Sequence, residues 1–206
     1  YIPALTAAFS HSIHTGTPVK GIQRDHAGVT LQTADAEHRF DKVIIATHSD
    51  QALGMLQDPN SAESGILGAI PYGENSVVLH TDTSLLPRKR RAWASWNYLL
   101  DGREQEAPVL TYNMNILQNL DAPKTLCVTV NGDDHINDSE IIQRHRYAHP
   151  QFSVEAMKAQ KDWETINGNN HTYYCGAYWA NGFHEDGVVS GIRAAQSLGA
   201  QWAKAA

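Results

Sequence analysis

"YYCGAYWANGFHEDGVVSG", residues 173–191, decides how the rest of the chain is read. Tyr173 to Gly176 reads as a short buried strand, a glycine-broken loop follows, and a helix opens near Asp186. Five rings, Tyr173, Tyr174, Tyr178, Trp179 and Phe183, stand beside His184, Glu185 and Asp186. A helix N-terminus leaves backbone N–H groups free and carries partial positive charge, so it draws anions or electron-rich carbonyls. Asp186 suits a cap that accepts those first donors. A cap leaves Gly176, Gly182 and Gly187 unexplained, because glycines at such points let backbone come close to something else.

Working outward, "DKVIIAT" at 41–47 carries the continuous apolar run of a strand buried on both faces. Before it, apolar spacing at Leu5, Ala8, Phe9 and Ile13 predicts a helix over 3–14. Strands are expected at 17–23 and 28–33, with turns at 24–28 and 34–37, and a helix at 49–57. Beyond Pro71 the period changes to two. Strands are expected at 76–80, 91–98, 109–113 and 125–130, and short helices at 139–144 and 154–161. The closing helix is expected over 186–204, with Val188, Ile192, Ala195, Gly199 and Trp202 as its buried stripe. The fold class is mixed α/β (α+β) in two parts. Residues 1–57 and 171–206 make one discontinuous domain with open-sheet character, and 58–170 make an antiparallel-sheet domain.

Composition narrows the function. Of 206 residues, 42% are apolar and 18% charged, which is globular rather than disordered. A net charge of −6 argues against a nucleic-acid binder, and no apolar run reaches the roughly 18 to 20 residues of a membrane span. Tyr1-Ile2-Pro3-Ala4 has no signal-peptide pattern, and the absence of Met at position 1 suggests a fragment. Cys127 and Cys175 show no CxxC spacing, and Cys127 reads as a buried free thiol, consistent with a cytoplasmic protein.

Gly182-Phe183-His184-Glu185-Asp186-Gly187-Val188-Val189-Ser190-Gly191 resembles the carboxy-terminal flavin signature of the FAD-dependent amine oxidase superfamily. Within it, the likeness is to bacterial predicted NAD/FAD-binding proteins. It extends to "DKVIIATHSDQALGML", "LHTDTSLLPRKRRAWASWNY" and "TYNMNILQNL". The resemblance implies an incomplete GR2-type FAD-binding domain plus an antiparallel substrate domain. It implies that donors around Asp186 to Val188, including Gly187, face the flavin ring, with Phe183 and Glu185 beside them. Gly176 and Ala177 would lie near the ribityl and pyrophosphate, although many relatives carry an acid at the latter position. Val19 would meet the adenine, and Ala46 and Thr47 would end the strand beneath the dinucleotide. The GxGxxG fingerprint that cradles the pyrophosphate is missing from the sequence. FAD is therefore expected in a longer parent and not in this chain alone.

Trp93, Trp96 and Tyr98 alternate along one expected strand, as core or as the wall of a substrate cavity. Tyr178 and Trp179 are further candidates for that wall. His184 is the candidate for proton transfer beside the flavin helix. "RKRR" at 88–91 reads as a solvated loop or as a contact for an anionic group. The 11 histidines, including the His11/His14 and His145/His149 pairs, lack a third ligand at zinc spacing, so no metal is expected. The expected activity is oxidation of a C–H bond of an apolar, lipid-like small molecule by hydride transfer to flavin. The alternatives are a non-catalytic ligand-binding module and a self-associating fragment that forms a homodimer.

Overall fold

The computed structural model describes residues 1–100 and 108–201. From the amino end come α1 (Ile2–Thr6), β1 (Gly21–Asp25), β2 (Gly28–Gln32), β3 (Glu37–Phe40), β4 (Val43–Ile45), α2 (Ser49–Met55) and α3 (Ser61–Gly68). Next are β5 (Tyr72–His80), β6 (Trp96–Leu99), β7 (Val109–Asn113), α4 (Met114–Leu117), β8 (Cys127–Val130) and β9 (Ile141–Pro150). The chain closes with α5 (Val154–Lys161), α6 (Trp163–Ile166), β10 (Thr172–Tyr174) and α7 (His184–Ser197). These elements form two compact units, residues 1–71 with 150–206 and residues 72–149. Residues 58–71 and 150–170, assigned above to the antiparallel domain, thus pack with the first unit.

In the first unit β1, β2 and β3 make an antiparallel meander, while β4 and β10 pair in parallel. Asp25 accepts a bond from the Ala27 N–H at 2.8 Å and shapes the tight turn between β1 and β2. The stretch read as a turn at 34–37 is short, because Gln32 already pairs with Glu37 and the chain enters β3. The helix expected over 3–14 splits into α1 and a 3₁₀ segment, and neither buries a residue. β4 is not buried on both faces, since Ile44 is 39% exposed.

A saturated ion pair lies at the centre of this unit. The Arg24 guanidinium donates to both Glu63 oxygens, at 2.5 and 2.9 Å, and its Nε donates to Asp58 at 2.9 Å. The Tyr174 hydroxyl donates to Glu63 at 2.8 Å, and the Asn60 N–H does so at 2.9 Å. Asn60 returns the contact by accepting the Glu63 N–H, which makes a capping box at the start of α3.

The second unit is one antiparallel sheet in the order β6-β7-β8-β5-β9. Val78, Leu85, Val109 and Ile136 form its apolar cluster. A buried polar line crosses it: Asn97 donates to the Thr111 carbonyl, Thr111 and Thr129 share a hydroxyl bond at 2.8 Å, and His80 Nε2 meets Thr129 at 2.7 Å. Two expectations fail here. Residues 139–144 are mostly strand, because a single 3₁₀ turn at Asp138–Glu140 leads straight into β9. The strand expected at 91–98 is only β6, because Arg90–Ala92 is a 3₁₀ turn whose carbonyl bonds take Trp93 out of the ladder. Cys127 and Cys175 are buried free thiols, and no helix among the described residues is long and apolar enough to cross a membrane.

Two pH responses follow. Burial pushes the Glu63 carboxyl up, but Arg24, Asn60 and Tyr174 outweigh it and hold it below the ordinary 4.5. The stability this contributes is complete above 4.5 and is lost as pH falls through the folded value. Glu63→Gln removes the bidentate, fully buried counter-charge of Arg24 and leaves it only the part-exposed Asp58, so denaturant unfolding should show a loss of about 3 kcal/mol at neutral pH and a shallower acid limb. His80 is held below the ordinary 6.5 by burial, against the pull of Asp82. The unfolded chain therefore takes the proton first, and stability falls as pH drops from 6.5 toward the folded value. His80→Leu should flatten that limb in thermal melts between pH 7 and 5, while the native chain keeps its slope.

Candidate functional site

The first unit's parallel pair sets the site. Val43, Ile44 and Ile45 face Thr172, Tyr173 and Tyr174 in register, and the Cys175 N–H donates to the Ile45 carbonyl at 3.1 Å. The two strands point the same way, so Ala46–Thr47 and Gly176–Ala177 leave the same edge together. In open α/β sheets, ligands sit outside the carboxyl ends of the strands. A cleft of about 600 Å³ borders β4, and Val19, Ile44, Ala46, Thr47 and Met55 are among its lining residues. It brings the three residues expected to underlie the dinucleotide into one apolar space. Ile44 and Met55 escaped the sequence reading, because an apolar run does not say which of its members face a ligand.

Gly176 is required by its surroundings. A Cβ there would stand 2.3 Å from the Tyr178 ring, far inside contact distance. Its N–H donates to Ser190 Oγ at 3.0 Å, which ties the strand exit to α7. Ser190 through this bond, and Ala194 through its packing on Trp163 and Cys175, are the buried residues of α7, where the apolar stripe predicted Val188, Ile192, Ala195 and Gly199. Val188 is instead 51% exposed, and Trp202 of that stripe and Lys204 lie outside the described residues. Gly182 takes φ +88°, a left-handed conformation that suits glycine. Gly187 meets only ordinary contact, with Ala177 Cβ 3.8 Å from the position of an added methyl group.

The helix begins two residues earlier than the sequence suggests. Phe183, 57% exposed, is the residue before its first turn. Asp186, third residue of the helix, accepts the N–H groups of Phe183, the N-cap residue, at 2.9 Å and of Asn181 at 3.1 Å, so it braces the entry to the helix rather than capping its first free donors. Gly187 N–H already bonds the Phe183 carbonyl at 3.2 Å. The donors left for a ligand are those of His184, Glu185 and Asp186, rather than those of Asp186 to Val188. The His184 and Glu185 side chains are exposed.

The five candidate wall residues divide between the units. Tyr178 is buried and packs its ring against Trp179 at 4.9 Å, which makes it core rather than an open wall. Trp179 lines a concavity of about 210 Å³ with Trp163, Asp186 and Arg193, whose guanidinium lies 3.8 Å over the Trp163 ring. In the second unit Trp93 is half-buried and donates from Nε1 to the Pro87 carbonyl at 2.8 Å. Trp96 and Tyr98 stay exposed on β6, with Trp96 set edge-on to Tyr112 at 5.8 Å.

These residues fit part of a dinucleotide site: a strand-end edge, an apolar cleft and a helix start with open donors. The chain belongs to the family of flavin containing amine oxidoreductases, which it matches over residues 4–145. Residues 173–191 lie outside that stretch. Among solved structures, it is similar to a CLA-producing fatty acid isomerase from P. acnes, with a TM-score of 0.67 at 17% identity. The alignment covers 93% of this chain and 50% of that one. A cyclohexylamine oxidase from Brevibacterium oxydans IH-35A gives 0.57 at 16% identity, over 88% and 47%. A putative protoporphyrinogen oxidase from Exiguobacterium sp. 255-15 gives 0.58 at 16%, over 88% and 46%. Such identities speak for the fold, and the chain spans about half the length of these relatives. No curated protein matches the sequence.

The bracing role is open to measurement. Asp186→Ala removes the acceptor of two N–H groups and should cost about 1 kcal/mol in thermal unfolding. An unchanged melting curve would show that the start of α7 holds without it.

Proposed function

We propose that this chain is the carboxy-terminal portion of an FAD-dependent oxidoreductase that oxidises a C–H bond of an apolar, lipid-like substrate. The observation that carries the reading is the shared edge of β4 and β10, where Ala46–Thr47 and Gly176–Ala177 leave side by side above an apolar cleft. Family membership supports the flavin. When bound, the flavin would supply the hydride acceptor.

The chain's own residues would bind and orient it. Val19, Ala46 and Thr47 would hold the nucleoside end in the cleft, and Gly176 and Ala177 would border the linking chain. The N–H groups at the start of α7 would donate to the electron-rich side of the ring, where directed donors stabilise charge that builds up in reaction. Phe183 would lie beside the ring, and His184, exposed at the first position of the helix, would be the group able to exchange a proton there. In the second unit, Trp93 and Trp96 would contribute apolar wall to the substrate space.

Without a glycine-rich cradle for the pyrophosphate, the 206 residues alone would hold FAD weakly or not at all. Absorbance spectroscopy separates the two parts of the proposal. A purified product of the complete gene should be yellow, with one flavin per chain, and should bleach anaerobically with an apolar substrate such as a fatty acid. A colourless complete product would overturn the flavin reading. Stoichiometric flavin on the isolated chain would overturn the proposed division of the site.

A further inference from the structure

The second unit holds a concavity of about 290 Å³ that shares only Trp93 with the residues assigned to the flavin reading above. Its walls come from the turn before β6 (Arg90, Trp93), from α4 (Asn115, Ile116) and from the approach to β8 (Pro123, Lys124). Among the described residues two cations line it and no carboxylate does, in a chain of net charge −6.

The lining is braced. The Arg90 guanidinium lies 5.2 Å over the Trp93 ring, and Trp93 is itself pinned to the Pro87 carbonyl. Asn115 donates to the Lys124 carbonyl at 3.1 Å and accepts the Leu126 N–H at 2.7 Å, which fixes the facing wall. Asn113 accepts the Ile116 N–H at 3.3 Å. These carboxamides hold the walls in place, and Arg90 and Lys124 are the charged residues along the lining. The Lys124 ammonium has one carboxylate near it, Glu140 at 4.0 Å, too far for a hydrogen bond.

We propose that this concavity binds a small organic anion. Its carboxylate or phosphate oxygens would lie between Arg90 and Lys124, and its apolar body on Trp93, Ile116 and Pro123. A guanidinium near an indole face keeps its paired N–H donors, and such a pair matches the oxygens of a planar or tetrahedral oxyanion. The volume suits a ligand of few heavy atoms, at the lower end of the range for small-molecule sites. The proposal stands apart from the flavin reading, because it needs neither FAD nor the first unit's cleft.

Calorimetric titration of the 206-residue chain tests it, with hexanoate, inorganic phosphate and hexanol as probes. Hexanoate should bind saturably, phosphate more weakly, and hexanol not measurably. The double variant R90Q/K124Q should weaken hexanoate about tenfold or more, the value of lost charged hydrogen bonds. R88Q/R91Q removes the same charge outside the concavity and should change affinity by less than about twofold. Near-ultraviolet circular dichroism would verify that both variants keep the Trp93 environment. Equal binding of hexanol, or equal loss from the two double variants, would overturn the site. Phosphate binding as tightly as hexanoate would overturn the apolar seat.

Discussion

Arg24 and Glu63 set the frame on which the strand-end edge depends. Each Glu63 oxygen accepts two bonds, one from Arg24 and one from either Tyr174 or Asn60. A carboxylate can be taken fully out of water only when its lone pairs are filled in this way, and Glu63 is fully buried. The bonds join β1, the start of α3 and β10, three elements far apart in sequence. Tyr174 lies two residues before Gly176, so the point where the chain leaves β10 is fixed through its hydroxyl. β4 follows, because it pairs with β10 in strict register.

The parallel pair carries an unusual consequence. Parallel strands are ordinarily covered on both faces, yet Ile44 is 39% exposed and β4 borders an apolar cleft. The same three-residue strand therefore works both as scaffold, with Ile45 buried, and as wall, because Val43, Ile44 and Ile45 all border the cleft.

Much of this was legible in the sequence where local physics dominates. The run 43–45 is a strand as expected, though not buried on both faces, and 109–113 appears as read, because an apolar run and a period of two are strong signals of a strand. The glycines at 176 and 182 marked real constraints, a ring contact and a left-handed residue. The Arg24–Glu63 pair could not be seen, because its members are 39 residues apart and look like ordinary surface charges. β3 and β9 were missed because their sequences, EHRF and IIQRHRYAHP, are too polar for alternation to show. Position 186 was open between cap and ligand contact; its two accepted N–H bonds brace the chain just before the helix, three residues in from the N-cap Phe183. The buried face of α7 is Ser190, bonded to Gly176, and Ala194, packed on Trp163 and Cys175, small residues that an apolar stripe does not single out.

The start of α7 also shows how a helix end can and cannot act on a bound group. Its partial charge amounts to roughly half a unit, whereas Glu185 and Asp186 place two full negative charges in the first turn. Net attraction for an anion therefore cannot come from the dipole alone. Asp186 directs its charge back to the Phe183 and Asn181 N–H groups, and Glu185 is exposed, where water screens it. What remains turned outward is directional: the N–H groups of the first turn, which the helix cannot use. Donors of that kind favour charge that develops at a fixed position over charge that arrives by diffusion. That preference suits a neutral, tightly seated ring that becomes electron-rich in place better than it suits a free anion.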